Sequence, residues 1–243
     1  MRRSLFLVGA VGCAEARLPA SETLPAEGVR TVVIDVERGD VVVSGTQPTE
    51  FVVSSEAWAS AATQGQAEAA AGGVEFGARV VGDRLSVTGR SGGPRAGVDV
   101  VIEGPPGVDV DAWLSGGRAS MRDLDGDLVV TSDGFDGTGL TGSVDLVSDG
   151  SVSLDADPAL DTHLKLDVHG DVRLGLPYGA PIDLVAFPDP DYAVEVADLG
   201  FDSVSVAPDF VDARTGTGRV TVEVVVRSGS FTLGLPAADL PGR

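Results

Sequence analysis

The sequence predicts an all-β protein, a single-chain β-solenoid or β-helix-like coiled sheet with one short helical insertion near residues 55–71. Three observations carry that prediction. First, Leu128–Gly134, Val144–Gly150 and Leu164–Gly170 are alternating apolar strands that each end on glycine, and those glycines lie 16 and then 20 residues apart. Short strand repeats separated by turns are the sequence signature of a coiled sheet. Second, the chain holds 33 glycines, many placed just after a strand-like run, where a turn needs backbone freedom. Third, 43% of the residues are hydrophobic but only 5% are aromatic, so the core is built mainly from Val, Leu, Ala and Ile.

The length of 243 residues suits one large all-β domain or two small ones. There are 37 acids against 17 bases, for a net charge of −20. Such a surface repels phosphates, which argues against a nucleic-acid partner. It also keeps a β-rich surface soluble and blunts its edges.

Arg2 and Arg3 followed by the apolar run Leu5–Gly12 resemble a secretory signal peptide, too short to span a bilayer. The run closes with Ala10-Val-Gly-Cys13, which resembles a bacterial lipobox. That resemblance implies lipidation of Cys13, which is the only cysteine and so has no internal disulfide partner. Several acyl chains would then tie the protein to a membrane, since a single chain anchors only marginally. Residues 13–29, with Pro19, Pro25 and Gly28, read as a tether. Residues 30–236 form the solenoid domain and 237–243 a tail.

Val32–Val36, Val41–Val43 and Phe51–Ser54 read as an antiparallel meander. The turn Arg38-Gly39-Asp40 matches a tripeptide that some adhesion receptors recognise, but a hairpin explains it. Ser55–Ala71 is Ala-rich and stops at Gly72-Gly73, which favours one or two helical turns with Trp58 as a core anchor. Val74–Val81 and Arg84–Val87 form a hairpin closed by Gly82-Asp83.

From Val98 the pattern is cleaner. Val98–Ile102 runs into Gly104-Pro-Pro-Gly107, and Val108–Leu114 alternates strictly, with Asp109 and Asp111 facing water. Further strands are expected at Ile182–Val185, Tyr192–Val196, Ser203–Val206 and Arg219–Val226. Gly170–Pro177 and Gly229–Pro236 share the frame Gly-x-apolar-x-Leu-Gly-Leu-Pro. Proline fits a strand end because it cannot donate to a ladder, and the second copy is placed to seal an exposed edge.

The order of these motifs carries a resemblance. A Gly-Asp-Val strand (Gly39–Val43) precedes a strand into Pro-Pro-Gly, then Ser-x-Gly rungs, then the Leu-Gly-Leu-Pro closure. This resembles the adhesin-like β-strand-repeat family of unknown function found in bacterial envelope proteins and lipoproteins. The resemblance implies a single-chain β-solenoid in the cell envelope, held by its amino-terminal lipid at the outer membrane or cell surface. It supplies no catalytic residues.

Candidate chemistry is sparse. Asp123, Asp125 and Asp127 have the look of a calcium loop, without the order or the helices of an EF-hand. Asp133, Asp136 and Asp149 could stack on one edge of neighbouring rungs and bind calcium weakly. His163 and His169 lack a recognisable third ligand. No catalytic or cofactor-binding residue is assigned. The expected function is non-catalytic: a lipid-anchored envelope protein presenting its solenoid to an unknown surface ligand or protein. The alternative is a secreted β-helical enzyme acting on polysaccharide, with or without the assistance of calcium.

Overall fold

The computed structural model describes residues 13–237, so the expected signal segment 1–12 and residues 238–243 lie outside the described residues. In chain order the elements are β1 (Ala14–Pro25), β2 (Thr31–Val36), β3 (Val41–Ser44), β4 (Glu50–Ala61), α1 (Gln64–Ala71), β5 (Glu75–Val81) and β6 (Arg84–Arg90). They continue as β7 (Ala96–Glu103), β8 (Asp109–Leu114), β9 (Arg118–Leu124), β10 (Leu128–Ser132), β11 (Gly134–Leu140), β12 (Val144–Ser148) and β13 (Val152–Ala156). The last are β14 (His163–Val168), β15 (Val172–Gly175), β16 (Ile182–Phe187), β17 (Val194–Val196), β18 (Ser203–Ala207), β19 (Phe210–Arg214), β20 (Val220–Val226) and β21 (Phe231–Gly234). Among the described residues the protein is all-β with one short helix.

Two large mixed sheets face each other. One runs β1-β4-β7-β3-β9-β11-β13-β15-β21-β17 and the other β18-β19-β16-β20-β14-β12-β10-β8-β2-β6-β5. From β8 to β15 successive strands alternate between the sheets, and each pairs in parallel with the strand two places on. The three units legible in the sequence are therefore neighbours: Leu128, Val144 and Leu164 share one register position, as do Val130, Leu146 and Leu166. Strand alternation turns every second residue inward. The inner positions of the two sheets are Val, Leu, Ile and Ala with a few Phe, all essentially without solvent exposure.

Tight corners connect strands of one sheet to strands of the other. Ser132 Oγ donates to the Gly134 carbonyl, and Ser148 Oγ donates to the Gly150 carbonyl. Both serines are buried, so these bonds satisfy hydroxyls that would otherwise be stranded in the core. The Ser-x-Gly pattern is thus a corner device. The glycines that follow stack on one another: a Cβ on Gly170 would stand 2.6 Å from the Gly150 carbonyl carbon, and one on Gly229 would stand 2.5 Å from that of Gly170. Only hydrogen fits there.

The ends depart from the expected order. Strands β2 and β3 do not open a meander. Each lies inside its sheet, parallel to both neighbours, with β6 and β8 flanking β2 and β7 and β9 flanking β3. The antiparallel strands β4, β1 and β5 lie outside them. The Gly82-Asp83 hairpin joins β5 to β6 as expected, with Gly82 at φ +63°. At the other end β20 inserts between β14 and β16, and β21 between β15 and β17. The twin Leu-Gly-Leu-Pro closures are adjacent and in register. The second one does not seal the sheet, because β17 lies beyond it.

Two further expectations are corrected. Residues 13–29 are not a free tether: Ala14–Pro25 pairs with β4 along its whole length. As an edge strand it is exposed on both sides from Arg17 to Thr23 and carries Pro19 and Pro25, which hid it from any search for alternation. The helical insertion at 55–71 contracts to α1, capped by the Thr63 hydroxyl accepting from the Gln66 N–H. Residues 55–61 extend β4 instead, and Ala67 and Ala71 of the helix pack on Ala16, Ala59 and Ala96. Methyl groups on both sides bring the helix close to the strands.

Candidate functional site

The five aspartates expected as metal ligands divide between opposite edges of the sheets. Asp123, at the end of β9, and Asp125 and Asp127, in the turn before β10, stand at one edge. Asp133 and Asp149 follow β10 and β12 at the other. The first group serves turn structure. Asp125 Oδ1 accepts from the Thr141 hydroxyl at 2.9 Å, Asp127 Oδ1 accepts from the Ser143 N–H at 2.9 Å, and Asp123 holds φ +54°. Asp136 leaves the expected edge stack because it lies within β11 and pairs with Arg118 at 2.9 Å. Asp133 and Asp149 do come together, bordering a hollow of about 240 Å³ with Trp113, Ser115, Thr131 and Val147. Among the described residues no group of three or more His, Cys, Asp or Glu side chains is arranged to hold a metal ion. His163, at the start of β14, approaches Asp145 at 3.3 Å, whereas His169 lies beyond the strand's far end.

The sequence did not single out a cleft of about 680 Å³ beside the tight-turn edge. It is bordered by Trp58 of β4, Asp99 of β7, the Arg38–Asp40 turn, the Ser115–Gly117 corner, Asp133, and Glu15 and Arg17 of β1. Trp58 is half-buried rather than a core anchor. Its indole lies over Gly97, where a Cβ would come within 2.7 Å of the ring, and its Nε1–H donates to Asp99 Oδ1 at 3.1 Å. The same Asp99 oxygen accepts from the Asp40 N–H at 3.0 Å. Asp40 Oδ1 in turn accepts from the Arg118 N–H at 2.9 Å. The Arg-Gly-Asp turn is therefore tied into the sheet, and Arg38 donates to the Pro94 carbonyl at 2.5 Å. Arg17 is held by Glu15 and Glu56.

The cleft joins the Trp113 hollow, since Ser115 and Asp133 border both. Trp113 is 46% exposed on the outer face of β8, and Val129 and Val147 emerge on the outer faces of the next two strands. The parity of Val108–Leu114 held this signal, because residues alternating with Val110 and Ala112 must face outward. Elsewhere on the faces arginines pair with aspartates of nearby strands, as in Arg173–Asp155 and Arg227–Asp167. Hydrogen bonding from Arg227 lowers the Asp167 carboxyl below its ordinary value, and Arg90 does the same for Asp35. Ser230, through its N–H and hydroxyl, lowers Asp171.

No family model matches the chain, and no curated protein matches it. Among solved structures, a protein from Clostridium sporogenes, named as a proposed cell adhesion protein, shares 10% identity at a TM-score of 0.50, over 90% of this chain and all of that one. Proposed adhesins from Bacteroides fragilis and Parabacteroides merdae share 7% and 9% identity at TM-scores of 0.26 and 0.28, over 90% and 89% of this chain and 97% and 95% of theirs. The first likeness is one of fold.

Proposed function

We propose that the chain is a non-catalytic, lipid-anchored cell-envelope protein whose β-solenoid presents a surface for adhesion or scaffolding. The observation that carries this reading is the parallel, in-register stacking of β8 to β15 in two sheets. Taken as successive rungs, these strands make a stiff coil whose outward side chains stand in fixed rows. Such a body suits presentation of a surface more than enclosure of a substrate. The fold shared with the Clostridium sporogenes protein supports the reading, as does the motif order resembling the adhesin-like repeat family.

Cys13 is exposed and directly precedes β1. A lipid there would fasten the protein by the edge of a sheet rather than through a loose tether. No helix among the described residues is long and apolar enough to cross a membrane, so in this reading attachment falls to the lipid. Metabolic lipid labelling of wild type and Cys13→Ala tests the anchor: label is expected only in wild type, and an unlabelled wild type removes it. Adhesion of cells displaying the protein tests the role.

The Trp58 cleft, with Asp40 and Asp99 at its wall, favours one second reading, action on polysaccharide. Asp125 and Asp149 stand at opposite edges and make no pair for that chemistry. Polysaccharide turnover that is lost in Asp40→Asn and Asp99→Asn would replace the first reading with this one.

A further inference from the structure

We propose that the band from Trp58 round the tight-turn edge to Trp113 binds a Lys- or Arg-bearing segment of a partner protein. The inference rests on the adhesive-surface reading and names the partner's chemistry. Its shape comes from the 680 Å³ cleft and the adjoining 240 Å³ hollow, which together follow the corner from one sheet face to the other. The chain's two tryptophans stand at the ends of this path.

Hydrogen-bonding inventory decides the ligand class. The main-chain and indole donors along the cleft are engaged inside the protein. Trp58 Nε1–H and the Asp40 N–H go to Asp99, the Gly39 N–H to the Gly116 carbonyl, the Gly117 N–H to Asp133, and the Arg118 N–H to Asp40. Arg17 is held by two glutamates, and Arg38 gives one N–H to the Pro94 carbonyl, so its guanidinium is the positive charge set against the Asp40, Asp99 and Asp133 carboxylates of the cleft. Acceptors are in surplus. Asp40 and Asp133 each have one carboxylate oxygen engaged in these bonds, and Asp149 adds a third carboxylate at the rim. A neutral sugar presents donors and acceptors alike and gains no charge attraction from this surplus of carboxylates. An ammonium or guanidinium group presents donors alone, is attracted by the carboxylates, and gains further from an indole face. The net charge of −20 adds long-range attraction of the same sign.

The test uses the two indoles as separate reporters. In the full-length protein, Trp113→Phe leaves Trp58 as the sole tryptophan, and Trp58→Phe leaves Trp113. Each is titrated with a peptide of eight arginines while tryptophan fluorescence is followed, with circular dichroism confirming the fold. Both single-tryptophan proteins are expected to respond, with affinity falling as salt rises. Asp99→Asn/Asp133→Asn is expected to weaken binding by about five-fold or more, while the charge-matched Glu50→Gln/Glu223→Gln, away from the band, changes it by less than about two-fold. Equal weakening by the two pairs would reduce the effect to overall charge and overturn the proposal. So would silence of either indole, or a stronger response to glucose, galactose or N-acetylglucosamine than to the peptide. Adhesion by displayed cells without peptide binding removes this inference alone. Peptide binding without cell adhesion removes the adhesive reading and leaves the band as a cation site.

Discussion

Val172 stands directly opposite Phe231 on the neighbouring parallel strand, although five strands intervene in the chain. The chain leaves the stack after β15, builds β16 and β17 one position too far out, forms the β18–β19 hairpin, and then returns to fill the vacant position. The pair β20–β21 is last in sequence and interior in space. It supplies the inner residues Val222, Val224, Phe231 and Leu233, all essentially unexposed.

Truncation before Val220 is therefore expected to be far more damaging than loss of an outermost strand. The gap would strip β16 of its parallel partner and uncover the inner faces of β14 and β15. Circular dichroism and denaturant titration should show loss of cooperative unfolding. A truncated chain that unfolds with wild-type cooperativity would contradict the interior placement.

The glycine stack makes a sharper point mutation. Gly170→Ala places a methyl against the Gly150 main chain, whereas Gly107→Ala meets nothing within 4 Å. Backbone has to move in the first case, so a loss of about 2–4 kcal/mol is expected from strain and lost packing, against less than about 0.5 kcal/mol for the second. Equal midpoints in urea would sink the claim.

Ser148 tests the corner device. Removing its hydroxyl in Ser148→Ala loses the bond to the Gly150 carbonyl and leaves a small void, with an expected cost of about 1–2 kcal/mol. The register partner on the next parallel strand is Val168, so Ser148→Val should recover part of that loss. A valine variant less stable than the alanine one would show that the hydroxyl, not the volume, matters.

Acid should weaken the protein through its arginine-paired aspartates. Hydrogen bonds from Arg227 and Arg90 hold Asp167 and Asp35 below the ordinary carboxylate value, so each contributes stability above the unfolded pKa of about 3.9. That contribution is lost as pH falls through the folded value. Both pairs are partly exposed, which limits each to about 1 kcal/mol. The stability gap between wild type and Asp167→Asn should be flat from about pH 5 to 8 and close below about pH 4. A gap that persists at low pH would show that the loss is one of packing.

The central strands were legible because they alternate, their corners carry Ser-x-Gly or glycine, and each pairs with a strand close by in sequence. The ends were not. Whether β20 pairs with β14, and whether β2 lies inside β6, depends on contacts between distant segments that no local pattern encodes. Strand β4 hid its second half because Ala57-Trp-Ala-Ser-Ala61 has helix-forming composition, which packing against α1 overrides. The Trp113 side of the candidate site could be read from strand parity. The cleft could not, since it joins β1, β4, β7 and two corners that meet only in the folded chain.

The outward rows have a consequence for how such a surface can change. Trp113, Thr131, Val147 and Asp167 occupy one register line across four parallel strands spaced about 4.8 Å apart. Their side chains are interleaved in sequence with the residues that hold the rungs together, yet they point away from them. Each outward position can then be rewritten on its own, like a letter on a fixed line, while the inward text is kept. A protein that shares a tenth of its residues with this chain and retains a comparable fold is what such separable alphabets would leave behind.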